Sequence, residues 1–193
     1  MTLSTKLTIS RLLSIPVYLP AYLLLDWPGQ FVCLVLVWWA AFSDIMDGRL
    51  ARARGEVSDQ GKFLDPIADS SFFVTVFFCF AWSGLMAWWM FALIACREAF
   101  QNGFLRPYFN SKGIVVAAKR IGKAKTVVQS IVSQIVLFSV GMYALLAQYL
   151  PEWIWPFWLQ VCFWLLALVT LLSVSSLYPY VMTFRQLPTA RDT

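Results

Sequence analysis

Long apolar runs separated by short polar turns constrain the fold of this chain more than any other feature of its sequence. Of its 193 residues, 60% are hydrophobic, whereas soluble domains have about 45–50% apolar residues. We therefore expect an all-α integral membrane protein, with six runs spanning a bilayer as transmembrane helices. The predicted spans are residues 12–25, a run that begins at Phe31, and residues 63–82, 85–104, 126–150 and 157–178.

The N-terminal residues 1–11 carry Lys6 and Arg11 among apolar and hydroxyl side chains. This pattern predicts a short interfacial helix that leads into the first span. A signal peptide is the alternative, because a basic start also precedes an apolar run there. Pro16 and Pro20 interrupt that run, and no small-residue cleavage site follows it. We therefore expect the segment to remain in the mature protein.

A single membrane domain is predicted, because no polar linker divides the chain. Its expected parts are the interfacial helix at 1–11, the helical bundle at 12–182 and a cytosolic tail at 183–193. The chain has four cysteines, none of them in a Cys-x2-Cys pair, and no histidine. These features argue against a zinc site or a disulfide framework.

Basic residues lie towards one side of the predicted topology. The turns at 26–30, 82–84 and 151–153 contain no lysine or arginine, and all fifteen basic residues fall towards the opposite side. Because loops rich in lysine and arginine stay in the cytosol, we expect both termini and a polar cavity to face the cytosol. Tryptophans near the other ends of the spans are typical of an interfacial belt. Membrane lipid, and not nucleic acid, is the expected partner of the basic residues.

Four aspartates between residues 43 and 70 form two pairs, Asp44 with Asp47 and Asp65 with Asp69. Each pair has the spacing of one helix face. The pairs are nearly symmetric about Val57, so a turn near that residue would bring all four carboxylates to one level. Carboxylates this close repel one another unless cations neutralise them, and hard oxygen ligands suit Mg²⁺ or Mn²⁺. We expect two divalent ions about 3.5–4 Å apart, as in sites for phosphoryl transfer.

The acids belong to a longer pattern, Asp-x2-Asp-Gly-x2-Ala-Arg-x8-Gly-x3-Asp-x3-Asp. Its fixed positions are Asp44, Asp47, Gly48, Ala51, Arg52, Gly61, Asp65 and Asp69. The pattern resembles the signature of the CDP-alcohol phosphotransferase family. The resemblance implies that the four aspartates are metal ligands and that Asp69 is also the general base for the acceptor hydroxyl. It further implies CDP-diacylglycerol or a related donor, CMP as the leaving group, and a homodimer.

Several further residues match positions around the nucleotide in that family. Gly48, Arg52 and Gly61 match positions near the cytidine and its phosphates, and an arginine can bind a phosphate with two parallel hydrogen bonds. Thr8, within a Leu-Thr-x2-Arg element that ends at Arg11, and Ser58 are weaker matches. Both are equally well explained as ordinary helix or turn hydroxyls.

Beyond the core motif, the chain is similar to bacterial phosphatidylglycerophosphate synthases at 63–69, at Arg97-Glu98, and at 121–126 with Gln129. This similarity implies sn-glycerol 3-phosphate as the acceptor and a bacterial-type inner membrane as the location. An acceptor that carries its own phosphate needs cations. The candidates are Arg97, Lys119, Arg120, Lys123 and Lys125.

Alternatives remain open for these basic residues and for the acceptor. The basic segment at 119–125 is also typical of a loop attracted to anionic lipid, and Arg97-Glu98 of a structural ion pair within the membrane. Ser70 stands where the synthases usually have lysine. The alternative acceptors are therefore inositol phosphate, serine, choline and phosphatidylglycerol, of which the last would give cardiolipin. Two alternative hypotheses do not involve this chemistry. The protein would then be a divalent-cation transporter or a catalytically silent relative that binds a CDP-lipid.

Overall fold

The computed structural model describes residues 3–54, 59–112 and 119–185, without the side chains of 3–5, 45, 47–54, 59–64 and 119–123. Regular structure in these ranges is entirely helical. The α-helices are α1 (Leu3–Leu24), α2 (Asp26–Arg54), α3 (Asp59–Trp82), α4 (Trp88–Phe100), α5 (Arg106–Ser111), α6 (Lys119–Leu146), α7 (Ile154–Ser175) and α8 (Tyr178–Arg185). A π-helical segment, Gln101–Leu105, joins α4 to α5, and a short 3-10 helix, Ala147–Tyr149, follows α6. The prediction of an all-α fold is therefore confirmed for the described residues.

Three stretches are long and apolar enough to cross a membrane. They are Lys6–Leu24, Ala124–Tyr149 and Ile154–Arg185, and they correspond to the predicted first, fifth and sixth spans. The other three predicted spans stay predictions. Two of them fall on α2 and α3, which carry the charged motif. The third falls on α4 and on the π-helical segment that continues it directly.

Several boundaries differ from those expected. Residues 3–24 form one continuous helix that includes Pro16 and Pro20, so the described part of 1–11 is not separate from the first span. Residues 183–185, the described part of the expected tail, form the end of α8. This helix packs on the π-helical segment and α5, where Tyr180 forms a small apolar cluster with Leu105 and Phe109. The turn expected at 26–30 is reduced to a bend at Leu25.

Close packing of α1 on α2 depends on Gly29. A Cβ atom at this position would lie 1.9 Å from the carbonyl oxygen of Ala21, a distance that no side chain can occupy. The glycine therefore lets α2 fold directly back along α1 after the bend at Leu25, with the Gly29 amide donating to the Leu25 carbonyl at 2.7 Å. This hairpin places the N-terminal part of α1 beside the end of α2 that carries the aspartates.

The core lies between α1, α2 and α3 on one side and α4, α6 and α7 on the other. α1 packs on both α2 and α3, α2 packs on α6, and α7 packs on α4 and α6. Fully buried aromatic and aliphatic side chains fill the centre, among them Tyr18, Phe72, Phe77 and Leu166. Trp82, Trp88, Trp89 and Trp153 are all exposed near the predicted distal turns, where the interfacial belt was expected.

Candidate active site

The N-terminal part of α1 contacts the two acid-bearing helices through two buried residues, Thr8 and Arg11. Thr8 Oγ1 donates a hydrogen bond to Asp65 Oδ1 on α3. On the other side, Arg11 Nη1 lies 4.0 Å from Asp44 Oδ1 on α2. Thr8 and Arg11 are three residues apart and therefore on one face of α1. Asp44 and Asp65 thus converge on the same turn of the same helix.

Arg11 is a charged side chain with no exposed surface. Its Nε and Nη2 atoms donate hydrogen bonds to Ser43 Oγ at 3.2 and 3.1 Å. Asp69 also lies close enough to Arg11 for their charges to interact. A buried cation needs nearby negative charge to offset its lost hydration. The guanidinium therefore partly neutralises the acids of both helices.

The three acids whose side chains are described differ in exposure. The Asp44 side chain is 56% exposed, whereas Asp65 and Asp69 are partly buried. Asp69 interacts electrostatically with Asp44 across the gap between α3 and α2. Two carboxylates within interaction range repel each other, so this side of the molecule favours a bound cation.

The donor chemistry of the acids suits Mg²⁺ or Mn²⁺, but a complete metal site is not seen. Among the described side chains, no three acidic, histidine or cysteine residues are grouped closely enough to hold an ion. The side chain of the fourth acid, Asp47, lies outside the described residues.

The residues predicted near the nucleotide are described only in part. The structure places Thr8 against an acid of α3. Gly48 and Arg52 belong to α2, and Gly61 belongs to α3. The structure does not describe the surroundings of these three residues, and Ser58 lies outside the described residues.

A second polar cluster, the Glu98 cluster, lies on the other side of α3. The Glu98 carboxylate binds Arg97 Nη1 at 2.8 Å, accepts a hydrogen bond from Lys125 Nζ on α6, and accepts another from Ser70 Oγ on α3 at 2.9 Å. Asn102 Nδ2 donates to Ser70 Oγ at 2.7 Å. The cluster therefore consists of Glu98, Arg97, Lys125, Ser70 and Asn102.

Two of the five predicted acceptor-binding residues, Arg97 and Lys125, thus meet at one carboxylate. Arg97 also donates through Nη2 to Ser176 Oγ, next to the end of α7. The side chains of the remaining three candidates, Lys119, Arg120 and Lys123, lie outside the described residues.

From the sequence, Arg11 was noted only as part of the Leu-Thr-x2-Arg element and Glu98 only as an ion-pair partner of Arg97, while Ser43, Ser70 and Asn102 were given no role. Arg11 had a usable signal, because a charged residue within an apolar run is costly unless it is paired. Ser43, Ser70 and Asn102 had no comparable signal, since small polar residues near helix ends are common. Only the packing of α3 on α4 shows that Ser70 and Asn102 meet.

The sequence profile of the family described as CDP-alcohol phosphatidyltransferase matches residues 1–172. The chain belongs to this family. Family members generally use divalent metal ions, in agreement with the acids gathered on α2 and α3. Family membership also implies a CDP-alcohol donor and an alcohol acceptor.

Curated relatives of this CDP-alcohol phosphatidyltransferase differ in the product that their names give. A CDP-diacylglycerol–glycerol-3-phosphate 3-phosphatidyltransferase of Treponema pallidum is 35% identical over 152 residues, which are 78% of this chain and 68% of the relative. A protein of the same name from Bacillus subtilis is 32% identical over 67% of this chain and 72% of its own length. A Mycobacterium bovis protein, named provisionally as a cardiolipin synthase, is 32% identical over 65% of this chain and 59% of its own length.

Proposed function

We propose that this protein transfers the phosphatidyl group of CDP-diacylglycerol to sn-glycerol 3-phosphate, giving phosphatidylglycerophosphate and CMP. The names of the Treponema and Bacillus relatives support this reaction. The observation that carries it is the convergence of Asp44 and Asp65 on one turn of α1, with Asp69 in electrostatic contact with Asp44. A cation transporter would leave the glycine and arginine positions of the motif unexplained.

The reaction forms one phosphorus–oxygen bond and breaks another. The acceptor hydroxyl oxygen attacks the phosphorus next to diacylglycerol, and the bond from that phosphorus to the CMP oxygen breaks. Asp69 takes the hydroxyl proton, because a positioned carboxylate can serve as a general base. Asp69 also interacts with Lys125, which lies on the side where the acceptor phosphate is proposed to bind.

The proposed ligands of two divalent ions, Mg²⁺ or Mn²⁺, are Asp44, Asp47, Asp65 and Asp69. The bound ions would supply positive charge to the diphosphate and its leaving group. Thr8 fixes the orientation of Asp65 through its hydrogen bond. Arg11 holds the acid-bearing end of α2 against α1 through Ser43.

Donor binding is proposed at the same end of α2 and α3. Gly48 leaves space beside the backbone for the nucleotide, and Arg52 lies one turn further along α2, where it can bind a phosphate. Thr8, Ser58 and Gly61 complete the proposed set. The acceptor phosphate is proposed to bind on the basic side, where Arg97 and Lys125 meet. The other proposed acceptor-binding residues shortly precede Lys125 in the sequence and are Lys119, Arg120 and Lys123.

The membrane arrangement is part of the same proposal. We propose six spans from the apolar runs, both termini and the active-site cavity on the cytosolic side from the distribution of basic residues, and a bacterial-type inner membrane from the family resemblance. The three apolar candidate spans support a membrane location. Homodimerisation is proposed from the family resemblance.

Release of CMP by the purified protein in lipid nanodiscs tests the reaction. With Mg²⁺, CDP-diacylglycerol and labelled glycerol 3-phosphate, we expect stoichiometric CMP and labelled phosphatidylglycerophosphate. Release of CMP only with a different acceptor would contradict the acceptor and leave the transfer chemistry in place.

Phosphatidylglycerol is the second candidate acceptor, because the Mycobacterium relative is named after cardiolipin synthesis. The same nanodiscs, prepared with phosphatidylglycerol and without glycerol 3-phosphate, would then release CMP and form cardiolipin. A direct competition between the two acceptors in one reaction decides which one the protein prefers.

A further inference from the structure

Glu98 occupies a junction of three helices and has more partners than a simple ion pair requires. Arg97 belongs to the same helix, α4, whereas Lys125 comes from α6 and Ser70 from α3. The residue is only 6% exposed. A buried carboxylate is costly unless its oxygens are satisfied, and here both oxygens have partners. Glu98 therefore fixes the positions of two cations relative to α3.

A hydrogen-bonded link connects Glu98 to the helix of the proposed base. Ser70 directly follows Asp69 in the sequence, and its hydroxyl donates to Glu98 Oε2 at 2.9 Å. The same hydroxyl accepts a hydrogen bond from Asn102 at 2.7 Å, so its orientation is determined from both sides. Asn102 lies in the π-helical segment, and such segments are common at functional sites. The link sets the distance of Arg97 and Lys125 from the Asp69 turn.

The charges of the cluster do not cancel. Arg97 and Lys125 contribute two positive charges and Glu98 one negative charge, so the three side chains together carry +1. All three are buried. Two buried cations side by side would repel each other without the carboxylate between them, and the excess positive charge is shared between Asp69, which interacts with Lys125, and any anion that binds beside it.

Hydrogen-bond donors also remain unused beside these cations. Arg97 Nε is buried and has no hydrogen-bond partner within the described ranges. The same holds for Nε2 of Gln129, which is one turn after Lys125 on α6 and only 2% exposed. Buried donors without partners are costly, whereas a phosphate oxygen would satisfy them. This pattern favours a ligand site over a purely structural ion pair.

We infer that Glu98 is a positioning residue for the acceptor phosphate: it holds Arg97 and Lys125 in place and, through Ser70 and Asn102, at a fixed distance from Asp69. The inference rests on the proposed function, because it assumes an acceptor that carries a phosphate. Glu98 itself repels the phosphate and does not bind it. Its contribution is the arrangement of the two cations.

Steady-state kinetics of Glu98→Gln in nanodiscs test this role. Glutamine keeps the shape of the side chain and removes the charge that holds Lys125. We expect the KM for glycerol 3-phosphate to rise about tenfold or more, with kcat within about threefold of wild type and an unchanged KM for CDP-diacylglycerol. Glu98→Asp, which keeps the charge, should recover part of the loss. Glu152→Gln, which removes an exposed charge in the distal turn, is the matched control and should behave like wild type.

An unchanged acceptor KM in Glu98→Gln would overturn the inference. An equal rise in the KM values of both substrates would also overturn it. If Glu98→Gln does not fold, Ser70→Ala replaces it, because this change removes only the link. A two- to threefold rise in acceptor KM then supports the inference, and a wild-type value contradicts it. Failure of the proposed function is seen separately in the wild-type protein, as no turnover with glycerol 3-phosphate.

Discussion

The two polar regions on either side of α3 satisfy their charges in opposite ways. On the α1 side, Asp44, Asp65 and Asp69 lie near the buried Arg11 and Thr8, and Asp44 remains largely exposed. On the α4 side, Glu98 already binds both cations, and all three of these charged side chains are buried. The acid side therefore needs added positive charge, whereas the basic side is organised before any ligand binds.

This difference suits the two regions beside α3 to different steps of the proposed reaction. A region that lacks counter-charge can take up cations and a diphosphate together, and it changes its electrostatics when they bind. A region held by internal ion pairs changes little, so it can orient a small anion without rearrangement. α3 carries Asp65 and Asp69 towards the first region and Ser70 towards the second. In the proposed reaction, the base and the residue that links to the acceptor site would thus lie within six residues of one helix.

Removal of divalent ions is expected to have the largest effect. Chelation with EDTA should abolish CMP release, because the acids of α2 and α3 would repel the diphosphate of the donor. Addition of excess Mg²⁺ or Mn²⁺ should restore the activity. Full activity in EDTA, in a sample that metal analysis shows to be free of divalent ions, would show that the acid region does not need added positive charge.

Asp69→Asn should have the next largest effect. We expect kcat to fall by about 10²–10⁴-fold, because the change removes the proposed base and a proposed metal-ligand charge. The variant should still fold, since asparagine has nearly the same shape. Asp26→Asn, an exposed aspartate at the distal start of α2, is the matched control. Wild-type turnover in Asp69→Asn would refute the role of Asp69.

Lys125→Gln tests the basic region without replacing any of the four aspartates. The KM for glycerol 3-phosphate should rise about 10- to 100-fold, because hydrogen bonds to charged groups contribute about 1.5–3 kcal/mol. Lys125→Arg keeps the charge and should remain closer to wild type. Lys112→Gln, at the exposed end of α5, controls for the loss of a positive charge.

An acceptor without a phosphate gives the sharpest comparison for Lys125→Gln. If the protein used such an acceptor, its KM would not depend on Lys125, and the basic region would be structural. The KM for CDP-diacylglycerol in the same variant reports whether the fold and the donor site are intact.

The sequence predicted the acid region better than the basic one, for a physical reason. The four aspartates have helical spacing on two consecutive helices, so the local pattern alone is enough to predict a common site for them. The Glu98 cluster combines residues from α3, α4 and α6, and no local pattern relates Ser70 to Asn102. Sequence reasoning placed Arg97 and Lys125 in one functional group but could not show that a single carboxylate binds both.

The helical class was equally accessible from the sequence, whereas the helix boundaries were not. Apolar runs predict helices in a membrane, but a proline within a run does not fix where a helix ends. Pro16 and Pro20 lie inside α1, which continues unbroken to the residues that contact the acids. The role of Gly29 also required the structure, because it depends on how closely α2 approaches Ala21.

Thr8→Val should give the smallest effect and sharpens the account of the acid side. Valine is close to threonine in shape but cannot donate the hydrogen bond to Asp65. A hydrogen bond to a carboxylate contributes at least about 1.5 kcal/mol, so we expect kcat/KM for CDP-diacylglycerol to fall about tenfold. Thr75→Val is the matched control, because the Thr75 hydroxyl bonds only to the Ser71 carbonyl of its own helix at 2.9 Å. An equal loss in the two variants would assign the effect to packing, whereas a loss confined to Thr8→Val places α1 in the active site.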